Sequence, residues 1–220
     1  MATVLTAPPQ TANALPQSAS VRYPESDGKP MTETDLHARV LIYLRSALEY
    51  FFRDDPNVYI SGNLMLYYEE GDPSASVSPD VFVVKGIRKK ARRTYKLWEE
   101  RKAPDVAFEL TSRSTRWDDL GTKRALYAEF GVKEYFIYDP HHEYLKPPLQ
   151  GYRLERNDFA PILADVQGKL HSAVLGLDVQ IVGDDLRLFN PHTGKYLLTL
   201  EEAEDEIERL RAELKKLRGE

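Results

Sequence analysis

Apolar residues recur every three or four positions through Leu36, Val40, Leu44, Leu48 and Phe51, which predicts an amphipathic helix with one face on a core. Thr32 can cap that helix, Asp35 suits its first turn, and Asp54-Asp55-Pro56-Asn57 ends it. The pattern then shortens to strand-length runs. Val58–Ile60 and Leu64–Tyr68 are joined by Ser61-Gly62-Asn63, and a polar loop follows from Glu69 to Ser78. After Pro79-Asp80, the run Val81-Phe82-Val83-Val84 is β-branched and aromatic enough for a central strand.

From Pro104 to Pro140 the chain reads strand, polar turn, helix, strand, and this stretch organises the rest. Val106–Leu110 is the first strand, and Thr111-Ser112-Arg113-Ser114-Thr115 suits a loop and a helix start. The helix passes through Leu120, Leu126, Ala128 and Phe130, with Gly131 as the residue that closes it. Tyr135-Phe136-Ile137-Tyr138 is the second strand, stopped by Asp139-Pro140. Farther on, Tyr152–Leu154, Ile162–Leu163, Val179–Val182, Leu186–Phe189 and Tyr196–Leu200 read as short strands. Asn190–Gly194 forms a hairpin loop before the last of them. Leu200, Ala203, Ile207, Leu210, Leu214 and Leu217 alternate spacings of three and four, the seam of a coiled coil.

These patterns divide the 220 residues into a loosely docked or disordered tail (1–30, rich in Ala, Thr, Ser, Pro and Gln), an α/β domain (31–199) and a coiled-coil helix (200–220). A net charge of −5 argues against a general nucleic-acid coat, though a local basic patch could still act. Without cysteine there is no disulfide, thiolate zinc site or cysteine nucleophile. No apolar run is long enough for a membrane span, and no signal peptide is apparent, so the expectation is a cytoplasmic protein.

The candidate chemistry begins with Glu109, a carboxylate inside an apolar strand, where it needs a cation or a raised pKa. Asp80 opens another strand. If the two strands pair, both carboxylates can converge on a divalent cation, and oxygen ligands without sulfur favour magnesium or manganese (or calcium) over zinc. Lys123, one helix later, can reach the same place. Two acids and a lysine are the minimum set for metal-assisted phosphodiester hydrolysis. Other groups belong to the same neighbourhood. Lys123 and Tyr127 share a helix face, and Tyr127 is expected in the core with its hydroxyl near the site. Asp119 either caps the helix or orients Lys123 four residues on. Asp105 lies on the same side of its strand as Glu109 and reads better as a salt-bridge partner.

In order, Pro79-Asp80, Pro104…Glu109-Leu110-Thr111-Ser112-Arg113-Ser114-Thr115, Asp119…Lys123…Tyr127 and Gly131-Val132-Lys133-Glu134-Tyr135…Asp139-Pro140 resemble the Uma-two-type restriction endonuclease family. That family is a branch of the PD-(D/E)XK nuclease superfamily. The resemblance spans roughly residues 32–190. It implies a restriction-endonuclease-like fold, a mixed sheet flanked by helices, and DNA cleavage dependent on Mg²⁺ (or Mn²⁺). Asp80 and Glu109 would be the metal ligands. The superfamily's usual lysine position, two residues after the second acid, is Thr111 here; the family pattern draws its lysine from the next helix, which is Lys123. Arg113 stands where the family usually has proline. Glu33, at the start of the first helix, matches an accessory acid of some superfamily members, although acids are favoured there for dipole reasons alone.

Lys85, Arg88, Lys89, Lys90, Arg92, Arg93 and Lys96 are the one basic concentration. They read either as phosphate contacts for DNA or as a solvated loop. Adjacent His141-His142 read as turn surface. A homodimer through residues 200–220 would present two sites to opposite DNA strands. The alternative to an active endonuclease is a nuclease-fold module that binds DNA or a partner without catalysis; a hydrolase of another phosphodiester is a third reading.

Overall fold

The computed structural model describes residues 21–26, 28 and 34–218. Along the chain these form α1 (Asp35–Phe51), β1 (Val58–Ser61), β2 (Leu66–Tyr67), β3 (Ser76–Val77), β4 (Val81–Lys85), β5 (Tyr95–Lys96), α2 (Leu97–Glu100) and β6 (Val106–Leu110). Next come α3 (Arg116–Asp118), a π turn over Asp119–Lys123, α4 (Arg124–Phe130) and β7 (Glu134–Tyr138). The remainder is β8 (Leu149–Glu155), β9 (Asp158–Pro161), β10 (Leu170–Ser172), β11 (Leu177–Val182), β12 (Asp185–Asn190), β13 (Lys195–Tyr196) and α5 (Leu200–Arg218).

The main sheet has the order β1-β4-β6-β7-β8-β9, with β6 and β7 parallel and every other neighbouring pair antiparallel. This is the mixed sheet flanked by helices that the sequence resemblance implies. Alternation along the central strands sorts side chains between its two faces. Val81, Val83, Val106, Phe108, Leu110, Phe136 and Tyr138 enter one core with α1 and the second sheet, β10-β11-β12-β13. Phe82, Val84, Ala107, Tyr135 and Ile137 enter the other, against Tyr127 of α4 and the small β3-β2-β5 sheet. Glu109 has the parity of Ala107, so the pleat aims it at α4.

Several boundaries differ from the sequence pattern. The cap of α1 is Thr34, whose Oγ1 accepts the His37 amide at 3.2 Å; Thr32 lies outside the described residues, as does the expected accessory acid Glu33. Only Leu66–Tyr67 of the expected Leu64–Tyr68 strand is extended, because its partners β3 and β5 are two residues each. Strands β3, β9 and β10 carry too few apolar residues for a sequence pattern to mark. Ile162–Leu163 is no strand, and Leu163 is exposed. The last strand is Lys195–Tyr196 alone, with Leu200 opening α5. There Thr199 and Glu202 form a reciprocal capping box: Thr199 Oγ1 accepts the Glu202 amide and Glu202 Oε2 accepts the Thr199 amide. Most of the tail lies outside the described residues; within 21–26, Tyr23 packs on Tyr67 and Trp98, and the Tyr67 hydroxyl donates to the Pro24 carbonyl. Among the described residues no helix is long and apolar enough to cross a membrane.

Asp105 ties the connections at one end of the sheet together. Its buried carboxylate accepts the Lys85 amide at 2.7 Å and faces Lys133 Nζ at 2.8 Å and Lys102 Nζ at 3.4 Å. Burial alone would raise this carboxyl, but Lys133, the Lys85 amide and Lys102 outweigh it and hold it below the usual range. A lowered folded-state pKa gives stability that is present above the unfolded value, about 3.9, and is lost as pH falls through the folded one. Asp105→Asn is therefore expected to lower the urea midpoint at pH 7, and the gap from wild type should close as the pH drops below about 4. A gap independent of pH would mean the aspartate acts through shape alone.

Candidate active site

The site forms where β4 and β6 run side by side. Their antiparallel register pairs Val81 with Phe108, Phe82 with Ala107 and Val83 with Val106. One further step sets Asp80 opposite Glu109, so two carboxylates 29 positions apart in sequence meet across one ladder. Asp80 Oδ2 accepts the Leu110 amide at 2.6 Å, which fixes it beside the Glu109–Leu110 peptide. The Ser61-Gly62-Asn63 turn lies against the same strand end: the Asn63 amide donates to the Pro79 carbonyl at 3.0 Å. A Cβ on Gly62 would sit 2.3 Å from the Asp80 carbonyl oxygen, so only glycine lets this turn approach so closely.

Glu109 is buried, with 1% of its surface exposed, and both its oxygens are engaged. Lys123 Nζ donates to Oε2 at 2.8 Å and the Tyr127 hydroxyl donates to Oε1 at 2.6 Å. Lys123 also stands 2.9 Å from Asp119 Oδ1, but off hydrogen-bond geometry, so the two buried oxygens of Asp119 have no hydrogen-bond partner. The π turn carries Asp119 and Lys123 at its two ends, and Tyr127 follows one turn later, so one helical segment supplies all three groups to Glu109. Such turns insert a residue and re-aim side chains, and they are frequent at functional sites. The Tyr135 hydroxyl donates to the Asp119 carbonyl at 2.9 Å and satisfies a backbone group there.

One ammonium thus serves two buried carboxylates, with Asp80 close by. Burial raises the Glu109 carboxyl well above the usual range; Lys123 pulls it down, but the negative charges of Asp80 and Asp119 add to the rise. Burial would lower the Lys123 ammonium, yet Glu109, Asp119 and Asp80 together raise it, so it stays charged at any working pH. Tyr127 is pushed up by burial and by Glu109, and remains a neutral donor. The cluster sets three carboxyl groups around one buried ammonium.

Asp119 is the N-cap of no helix; it follows α3 and faces Lys123 from inside the π turn. Asp105 stays with Lys85, Lys102 and Lys133, apart from this cluster. The basic residues are also elsewhere, and mostly neutralised. Lys90 and Arg92 pair with Glu100, Arg93 with Glu25 and Lys96 with Glu99, while Lys85 and Lys89 donate to the carbonyls of Val174 and Phe52. Arg92 also covers the Tyr59 ring at 4.1 Å. Lys89, Lys90 and Arg92 join Arg45 and Glu49 around a cleft of about 470 Å³ on the far side of β1. His37 is the residue that the sequence pattern did not mark: its Nε2 reaches to 3.7 Å from Asp80 Oδ2 across the α1 start. Its position on the first turn of α1, near the Pro79-Asp80 end of β4, was the available signal. Among the described residues, no three His, Asp or Glu side chains gather in a group that could hold a metal ion.

The fold is a mixed α/β sheet that sets an acid pair on neighbouring strands and a lysine on the helical segment that follows. The chain matches the Uma2 family, whose description is "Putative restriction endonuclease", over residues 9–181, and it belongs to that family. Membership supports a nuclease function. A solved structure from Anabaena variabilis ATCC 29413, described as a "putative nuclease belonging to DUF820", is similar at 16% identity and a TM-score of 0.45. The match covers 61% of this chain and 70% of that one. No protein of curated function matches the chain.

Proposed function

We propose that the protein is a DNA endonuclease that hydrolyses phosphodiester bonds with Mg²⁺ or Mn²⁺. The observation that carries this reading is the placement of Asp80 opposite Glu109, 29 positions on, with Lys123 bonded to the buried Glu109 carboxylate and paired with Asp119, an arrangement expensive to bury without a purpose. The donor set fits the ion: Mg²⁺ keeps several waters and binds through one or two carboxylates plus substrate phosphates, and Asp80 and Glu109 are such a pair. They would hold it; Asp119, whose buried oxygens accept no hydrogen bond, pairs with Lys123 beside them. When bound, the cation polarises the phosphate and makes its water more acidic.

The side chains of the chain do the rest. Tyr127 and Lys123 fix the orientation of Glu109. Asp119 keeps Lys123 charged and directed at the acid pair, while 15% of the Lys123 side chain remains open to solvent and to a phosphate. Its ammonium offsets the charge that grows on the phosphoryl oxygens as water adds to phosphorus and the bond to the leaving sugar oxygen breaks. Incubating plasmid with the protein and Mg²⁺ or Mn²⁺ tests the reading. Nicking or linearisation is expected, and Asp80→Asn should remove it and weaken Mg²⁺ binding measured by calorimetry.

One observation favours a second reading, a module of nuclease fold that binds without cutting: both Glu109 oxygens are already taken. No Mg²⁺ binding above background in the calorimeter would select it.

The exposed row Leu200, Ile207, Leu210, Leu214 and Leu217 on α5 supports pairing with a second copy as a coiled coil. Sedimentation should give a dimer for the full chain and a monomer for the Leu210→Glu, Leu214→Glu double variant; a wild-type monomer removes the pairing.

A further inference from the structure

The loops leaving the carboxyl ends of β6 and β7 carry groups that the phosphodiester chemistry does not use. Trp117 is 72% exposed, although it stands only two residues before the buried Asp119. Its backbone is held: the Arg116 amide donates to the Ser112 carbonyl at 3.0 Å, the Asp119 amide to the Thr115 carbonyl at 2.9 Å, and Thr115 Oγ1 accepts the Ser112 amide at 3.0 Å. The Arg116 guanidinium lies 5.1 Å from the centre of the Trp117 ring and 5.8 Å from that of Tyr144. Tyr144 is fixed in turn by Asp139, which is buried at the end of β7 and accepts the amides of His141, Tyr144 and Leu145. Two aromatic rings therefore lie near one cation on the loops that leave β6 and β7.

A ring this exposed contributes little to the core, and an arginine beside two aromatic rings is a surface suited to a flat π system with an attached negative charge. We propose that Trp117, with Arg116 and Tyr144, is a stacking platform for an unpaired nucleobase of the nucleic acid whose backbone reaches Lys123. The inference rests on the nuclease reading and narrows it: the substrate is DNA with a single-stranded, frayed or displaced segment next to the bond attacked. Every base has a π face, so stacking of this kind tolerates any sequence. A fully paired duplex keeps its bases stacked on one another and offers no free face until a base is taken out of the stack.

The test is binding by the full chain in EDTA, where no cutting intervenes. The chain has two tryptophans, so Trp98→Phe leaves Trp117 as the sole reporter. Adding single-stranded oligothymidylate should quench its fluorescence, and a blunt hairpin duplex of equal charge should quench it far less. With Trp98 in place, Trp117→Ala should weaken single-strand binding about tenfold while Trp117→Phe retains most of it. Duplex binding should change by less than about twofold, since phosphate contacts dominate there. An absence of quenching by the single strand, or equal losses for single strand and duplex, overturns the platform. Quenching without cleavage of a forked or gapped duplex in Mg²⁺ would leave the platform and remove the nuclease; cleavage of such a duplex without quenching would do the reverse.

Discussion

Glu109→Gln is expected to abolish DNA cleavage while leaving the protein at least as stable as the wild type. Glutamine keeps the shape of the side chain and both contacts: its oxygen can accept from Lys123, and its amide can donate to the Tyr127 hydroxyl oxygen. What it removes is a negative charge in a buried place where Asp80 and Asp119 already repel it. A raised folded-state pKa means that the stability Glu109 contributes is fullest below its unfolded value and is lost as pH rises through the folded one. At pH 8, above the unfolded value, the variant is free of the cost of ionising or protonating this buried carboxyl. The variant's Tm should be equal or a few degrees higher there, and the two should converge near pH 4, where both side chains are neutral. Cleavage should fall at least about a hundredfold, since loss of a metal's outer partners alone costs that order. A variant that still cuts removes Glu109 from the reaction, and one that loses stability at pH 8 means the carboxylate is a structural anion. The signature is a trade of stability against activity.

How much of this was legible in the sequence depends on whether the signal was local. The acid in β6 stood out because an apolar strand rarely carries one; both strands were recognised from their apolar runs, but their pairing was only a condition until the register fixed it. The π turn was not legible. Gly121 lowers helix propensity in that segment, but nothing in composition separates a π turn from an α turn. Its effect decides whether Asp119 caps a helix or faces Lys123. The basic run from Lys85 to Lys96 left two readings open for a complementary reason. Charge density is read along the chain, whereas the pairing of Arg93 with Glu25 and of Lys90 and Arg92 with Glu100 is set by the fold. Strands β3, β5, β9 and β10 depend on neighbours for their extension, so their short runs gave no pattern. Trp117 was visible as a residue, but its exposure follows only from the way α3 enters the π turn.

The largest stability effect should come from Lys123→Met, which keeps the length of the side chain and deletes its charge. Glu109 and Asp119, each only 1% exposed, then face one another without the ammonium that sits 2.8 and 2.9 Å from them. Removing one partner of a buried ion pair costs about 3–5 kcal/mol because the charge left behind has neither water nor a counter-ion. The molecule can recover part of that by protonating a carboxyl, so the loss should be greatest at pH 8 and shrink toward pH 5, as urea denaturation at the two pH values will read. Adding Glu109→Gln to the same chain removes one of the stranded charges. The double variant should be more stable than Lys123→Met alone, with a coupling above about 1 kcal/mol, yet remain without cleavage activity. That combination separates the lysine's two duties, since restored stability without restored cutting assigns it to the reaction as well as to the fold. A Lys123→Met variant that loses under about 1 kcal/mol at pH 8 would mean that water reaches the two carboxylates without it, and the buried cluster would no longer account for the raised Glu109 carboxyl.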